Sequence, residues 1–238
     1  MKQMINLLKG ELVRLYKYKV LITSLFVSVI WVVIIALADK EAALMLSPML
    51  IWMDGAMMSI LFIAASYFFE KQGQTIKSLL VAPVSVFQIL VSKVLASLMT
   101  GLISGVLVVT YSMIVYDLQV NVLLLFVYII IVVGSHTAFG FIITLYSKDF
   151  GTMLVNYILF AFVTVIPSLL LTAGIIPKAL SSLLLISPTH AGKVLIESAF
   201  IDHPLGEVLF GVGYLLVIMF LIYPLWVYRK FQKTVIEG

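Results

Sequence analysis

Glu70 to Lys93 reads EKQGQTIKSLLVAPVSVFQILVSK, and this polar stretch decides how the rest of the chain is arranged. A nearly unbroken apolar run, Met49 to Phe69, precedes it, and another, Val94 to Tyr116, follows it. The stretch itself carries one acid, three lysines, a glycine and a proline. Hydrocarbon would leave its charged and backbone groups unsatisfied, so it must form a polar knob on one membrane face, between two spans. Within it Ile76, Leu79 and Leu80 stand at i, i+3 and i+4, the apolar edge of a short helix, with Lys77 off that edge. Pro83 has no N–H and disfavours helix at Ala82, so the helix should stop there. A short amphipathic helix whose leucines face away from the membrane calls for a partner protein.

Composition agrees with a membrane chain. Of the 238 residues, 63% are hydrophobic and 11% charged, and the mean hydropathy is +1.20. A soluble domain is about 45–50% apolar and about 25% charged. At about 20 residues per span, the length accommodates six spans with short loops. The net charge of +4 is no nucleic-acid signal, because the basic residues sit beside spans rather than in a dense stripe. With no cysteine, the chain has no disulfide, thiolate metal site or cysteine nucleophile.

The expected fold is all-α, a single polytopic membrane domain over 1–238. Residues 1–19 form an amphipathic helix in the membrane surface plane, with Met4, Ile5, Leu8, Leu12, Leu15 and Tyr16 on one face. Lys2, Asn6, Lys9, Arg14 and Lys17 share the other face. The spans are expected at 20–38, 49–69, 94–116, 122–146, 154–175 and 206–228. Ala36-Leu37-Ala38 has the form of a signal-peptidase site, but the apolar stretch before it is too long for a signal peptide. Asp39 to Pro48 reads as a loop. Pro167 should kink or break the fifth span. Residues 176–205, with Pro177, Pro188 and Pro204, read as a re-entrant region in which Leu180–Ile186 and Ala191–Phe200 are short helices. Twelve lysines and arginines fall on the side of the termini and the Glu70–Lys93 segment, and three on the other. That asymmetry puts both termini in the cytoplasm.

Few residues offer chemistry. No G-x-x-x-x-G-K-[ST] phosphate loop occurs, so ATP, if used, must be bound by another chain. There is no H-E-x-x-H, and His136, His190 and His203 are too scattered to suggest a metal site. Two ionisable residues fall inside spans. Asp54, five residues into the second and so roughly 7–8 Å deep, is either hydrogen-bonded to a neighbouring span or part of a solute cavity. His136, in the fourth, is either a packed neutral imidazole or a proton relay. Ser97, Gly101 and Gly105 form a small-residue stripe where a helix can approach closely, within the chain or from a second copy. Trp52, Trp226 and Tyr228 read as interfacial anchors.

The stretch resembles the cytoplasmic motif of ABC type-2 exporter permeases. Glu70, Thr75, Leu79, Pro83 and Lys93 stand at the family's spacings, with Leu79-Leu80 and Pro83-Val84-Ser85. Gly73 is separated from Thr75 by Gln74 where the family has Gly-Thr adjacent, and Lys77 stands where an acid is usual. Met49 to Phe69 with Asp54, and Pro188 to Phe200, are similar to the branch that includes fluoroquinolone-type drug exporters. The resemblance implies a coupling helix over 70–93. Glu70, Gly73, Thr75, Ile76, Leu79, Leu80, Pro83 and Lys93 would form the junction with an ABC ATPase. It implies a transporter subunit of the cell membrane rather than an enzyme, with ATP and magnesium held by two copies of the ATPase. A second permease subunit would complete the pathway, and the task would be efflux of an apolar or amphipathic solute such as a drug, peptide or lipid. The alternatives are an ion-coupled carrier, whose usual related halves are not evident here, and a non-transporting assembly or sensor protein.

Overall fold

The computed structural model describes residues 2–75 and 83–237. The edge Ile76, Leu79 and Leu80 therefore lies outside the described residues. Among those described, the regular elements are helices, with no strand. Five helical stretches are long and apolar enough to cross a bilayer: Lys40–Gln72, Val86–Tyr116, Val122–Leu145, Phe150–Thr172 and Leu205–Thr234. A sixth candidate is the bent pair of a first helix with α2 (Val20–Ala36), the apolar arm of that pair. The 17 residues of α2 span about 26 Å, close to the roughly 30 Å of a hydrocarbon core. The chain is an all-α, multi-pass membrane protein.

Helix α1 (Lys2–Lys17) meets α2 at a bend of 71°. Lys19 makes the corner in the left-handed region, at φ 63°. The face that α1 buries differs from the expected apolar stripe. Leu15 and the acid Glu11 are buried, whereas Tyr16 is exposed.

The helix that carries the second span begins before the apolar run. Residues read as a loop form α3 (Lys40–Met53), because Asp39 caps it by accepting from the Ala42 amide at 2.8 Å. A π-helical turn, Asp54–Met58, joins α3 to α4 (Ser59–Gln72). Asp54 is thus 14 residues from Lys40, about 21 Å along the helix, and sits near its middle.

Helix α5 (Val86–Tyr116) also starts earlier than expected. Ser85 and Gln88 close a capping box, with Gln88 N–H to Ser85 Oγ at 3.2 Å and Ser85 N–H to Gln88 Oε1 at 2.9 Å. Lys93 therefore lies two turns inside a helix. Helix α6 (Val122–Leu145) is the central post, packed against α4, α5 and the re-entrant region. Helix α7 (Phe150–Thr172) runs through Pro167 without breaking. The short α8 (Ser181–Leu184) and the buried α9 (Pro188–Glu197) fill the expected re-entrant region. Helix α10 (Leu205–Ile222) continues through a second π-turn, Tyr223–Val227, into α11 (Tyr228–Glu237).

The small-residue stripe packs inside the chain. A Cβ on Gly101 would lie 3.1 Å from Val133 Cγ2, and one on Gly105 would lie 2.6 Å from Ile129 Cδ1, both on α6. Ser97 on the same helix is buried. A contact with backbone involves Gly140, where a Cβ would meet Ile60 Cα at 3.0 Å and Ile60 O at 3.3 Å. Ile129 can move the tip of its side chain, but α4 cannot move its backbone so cheaply. Gly140→Ala is expected to destabilise the protein by about 1–3 kcal/mol. Gly213→Ala, with nothing within 4 Å of the added carbon, should not destabilise it. Thermal unfolding in detergent separates the two, and equal midpoints would show that α4 and α6 part without cost.

Candidate functional site

Polar side chains cluster at several places within the helical bundle, and two of these clusters hold residues that the sequence points to. The first joins the ends of the two spans that flank the polar stretch. Lys93 on α5 is buried, with 1% of its surface exposed. Its ammonium has three donors, and three oxygens surround it. Glu11 Oε1 is at 2.8 Å, Glu70 Oε1 at 2.8 Å and Ser66 Oγ at 2.6 Å. Ser66 in turn donates to Glu11 Oε2 at 2.7 Å. Arg14, one turn beyond Glu11, lies 3.1 Å from Glu11 Oε1 and also pairs with Glu70. Two carboxylates and two cations thus neutralise one another across α1, α4 and α5. Burial pushes the Glu11 carboxyl up, but Lys93 and Arg14 outweigh it and hold it well below the usual carboxylate range.

Of the expected ATPase-coupling residues, Glu70 and Lys93 are therefore buried at the base of the segment rather than presented on its surface. Gly73 and Thr75 are exposed just beyond α4, and the Thr75 hydroxyl donates to Glu70 O at 3.3 Å. The left-handed turn there falls on Gln74, φ 52°, not on Gly73. Pro83 is exposed, and its carbonyl accepts from Gln3 Nε2 at 3.0 Å. Pro83 is thus tied to α1 directly, and Thr75 through Glu70, which pairs with Arg14.

The second site surrounds Asp54. Its side chain is 3% exposed and borders a cavity of about 390 Å³ between the second span and α7. Trp31, Met57, Tyr157, Phe162 and Val165 line the same space. Trp31 and Ser104 face the carboxylate as donors, but Asp54 Oδ1, Trp31 Nε1 and Ser104 Oγ do not close into well-formed hydrogen bonds. Buried polar atoms left with incomplete hydrogen bonds are costly, and these lie beside an apolar cavity. The arrangement can take a ligand with an apolar body and a cationic or hydrogen-bonding end.

His136 is not brought to that cavity. Its Nδ1 lies 2.8 Å from the Val132 carbonyl, which can only accept, so Nδ1 carries the proton and Nε2 is a bare acceptor. Nε2 has no partner and the residue is fully buried. It faces the re-entrant helix, where a Cβ on Gly192 would lie 3.5 Å from His136 Cε1. Trp52, expected at an interface, is also buried and donates to the Thr189 carbonyl at 2.7 Å, pinning α9 to α3. Trp226 and Tyr228 are exposed, as anchors should be.

Glu11, Arg14 and Ser66 were not singled out by the sequence. The available signal is an acid, Glu11, amid Leu8, Leu12 and Leu15 on the apolar side of α1. Compared with known proteins, the chain matches no family model and no curated protein sequence.

Proposed function

We propose that the chain is the membrane subunit of an ABC-type exporter. It moves an apolar or amphipathic solute out across the cell membrane, and a separate ATPase supplies the energy. The observation that carries the reading is the buried Glu11–Arg14–Glu70–Lys93 network. It joins the interfacial helix to the bases of the second and third spans, at both ends of the stretch expected to dock on the ATPase. A push on 76–82 is then delivered to three helices together, which is what coupling two sites through one two-state element requires. With no phosphate loop in this chain, ATP and magnesium belong to the partner. Two copies of the chain, or the chain and a relative, would enclose the pathway, with both termini cytoplasmic. The cavity beside Asp54 has the apolar lining and single acid suited to an amphipathic cation. Drug efflux is thus the form of export that the site favours.

The test is whether a neighbouring reading frame encodes an ABC ATPase and whether that ATPase co-purifies with this chain. Burial of one leucine is worth about 1.5–3 kcal/mol. Leu79→Asp with Leu80→Asp should therefore lose the ATPase while the spans still insert. Recovery of the ATPase at the wild-type level by that double variant refutes the docking.

A further inference from the structure

A second apolar cavity opens at the surface of the helical bundle, beside the exposed Phe87 and Phe220. A groove of about 490 Å³ runs between the first turns of α5 and the end of α10. Phe87, Val91 and Leu95 form one wall, and Phe220, Pro224 and Tyr228 the other. None of its lining residues is charged. Its floor includes Tyr223, whose hydroxyl turns away to meet Thr137 at 2.6 Å. The π-turn Tyr223–Val227 shapes one side, at a proline that cannot donate a helical hydrogen bond.

Two observations identify the occupant. The first is length. The lining from Met219 to Tyr228 runs about 13 Å at 1.5 Å per residue. That is close to the depth of one leaflet, half of a hydrocarbon core of roughly 30 Å. The second is charge. Arg229 follows Tyr228 at the groove's end and is exposed, and Lys230 lies beside it, 4.7 Å from the centre of the Tyr146 ring. We propose that the groove binds one acyl chain of an anionic phospholipid, with the phosphate headgroup held by Arg229 and Lys230. This is a lipid site of the protein whether or not the chain transports anything.

Native mass spectrometry of the full chain in detergent, after addition of phosphatidylglycerol or phosphatidylcholine, tests it. The wild type should retain one phosphatidylglycerol in preference to phosphatidylcholine. A basic residue near a lipid surface is worth about fivefold in affinity, so Arg229→Gln should reduce that preference about fivefold and leave phosphatidylcholine unchanged. Val91→Trp with Leu95→Trp fills the groove from the α5 wall and should remove the retained lipid. If that pair fails to fold, Arg229→Gln alone decides. Equal retention of the two lipids by the wild type overturns the proposal, since the lipid is then only annular. So does a filled variant that keeps its phosphatidylglycerol. Filling that splits a dimer with no change in bound lipid also overturns it and marks the groove as a contact between proteins.

Discussion

Lys93→Met is expected to destabilise the protein by about 3–5 kcal/mol, the range for breaking a buried ion pair from one side. The ammonium is surrounded by Glu11, Glu70 and Ser66 with almost no access to solvent. Removing it leaves two buried carboxylates facing Arg14 alone, and Arg14 is partly exposed. The loss arises from the charges left behind, so it should be recovered in part when one of them is removed too. Lys93→Met with Glu70→Gln restores neutrality in the network and should be more stable than Lys93→Met alone. Denaturant unfolding of the wild type, both single variants and the double variant closes the cycle. Strict additivity would show that the four charges are held independently, and α1 would then not be joined to the spans through them.

The same network shows what the sequence made legible. Apolar runs located the spans, because a helix in hydrocarbon must be apolar along most of its length. The polar break at Glu70–Lys93 was legible for the opposite reason. Glu11 was not, because its partners are 55 residues away at Ser66 and 82 residues away at Lys93. Sorting α1 by hydrophobicity sets an acid on the apolar side aside as noise. The starts of α3 and α5 lay outside the apolar runs for a related reason. Hydropathy reports residence in lipid, whereas a helix starts where a cap satisfies its first amides, here at Asp39 and Ser85. Gly140 escaped notice because it stands outside the four-residue stripe, and only the approach of α4 makes its missing side chain necessary. The π-turn at Asp54 has no pattern in the sequence.

In the export reading, Asp54→Asn is expected to lower transport of amphipathic cations about tenfold or more and to leave neutral solutes nearly unchanged. Two unit charges 4 Å apart attract by about 4 kcal/mol at an effective dielectric constant of 20, and a tenfold effect uses only about a third of that. Asn keeps the shape and one carbonyl acceptor, so what it removes is charge. The site is suited to such a role because Asp54 Oδ1 has no well-formed hydrogen bond and the cavity beside it is otherwise apolar. A π-turn in the middle of a span places it there, a device frequent at functional sites. Asp54 also faces Trp31 on α2 and Ser104 on α5, so it could instead serve to hold those helices together. That role has a different signature, because a helix-holding acid affects every solute alike. Asp54→Asn would then be nearly silent, while Asp54→Ala would reduce export of cationic and neutral compounds together and lower the unfolding midpoint. Uptake of a cationic and a neutral fluorescent solute into inside-out vesicles, measured for all three proteins, separates the roles. Normal uptake of both solutes by both variants, at wild-type stability, removes Asp54 from the transport pathway.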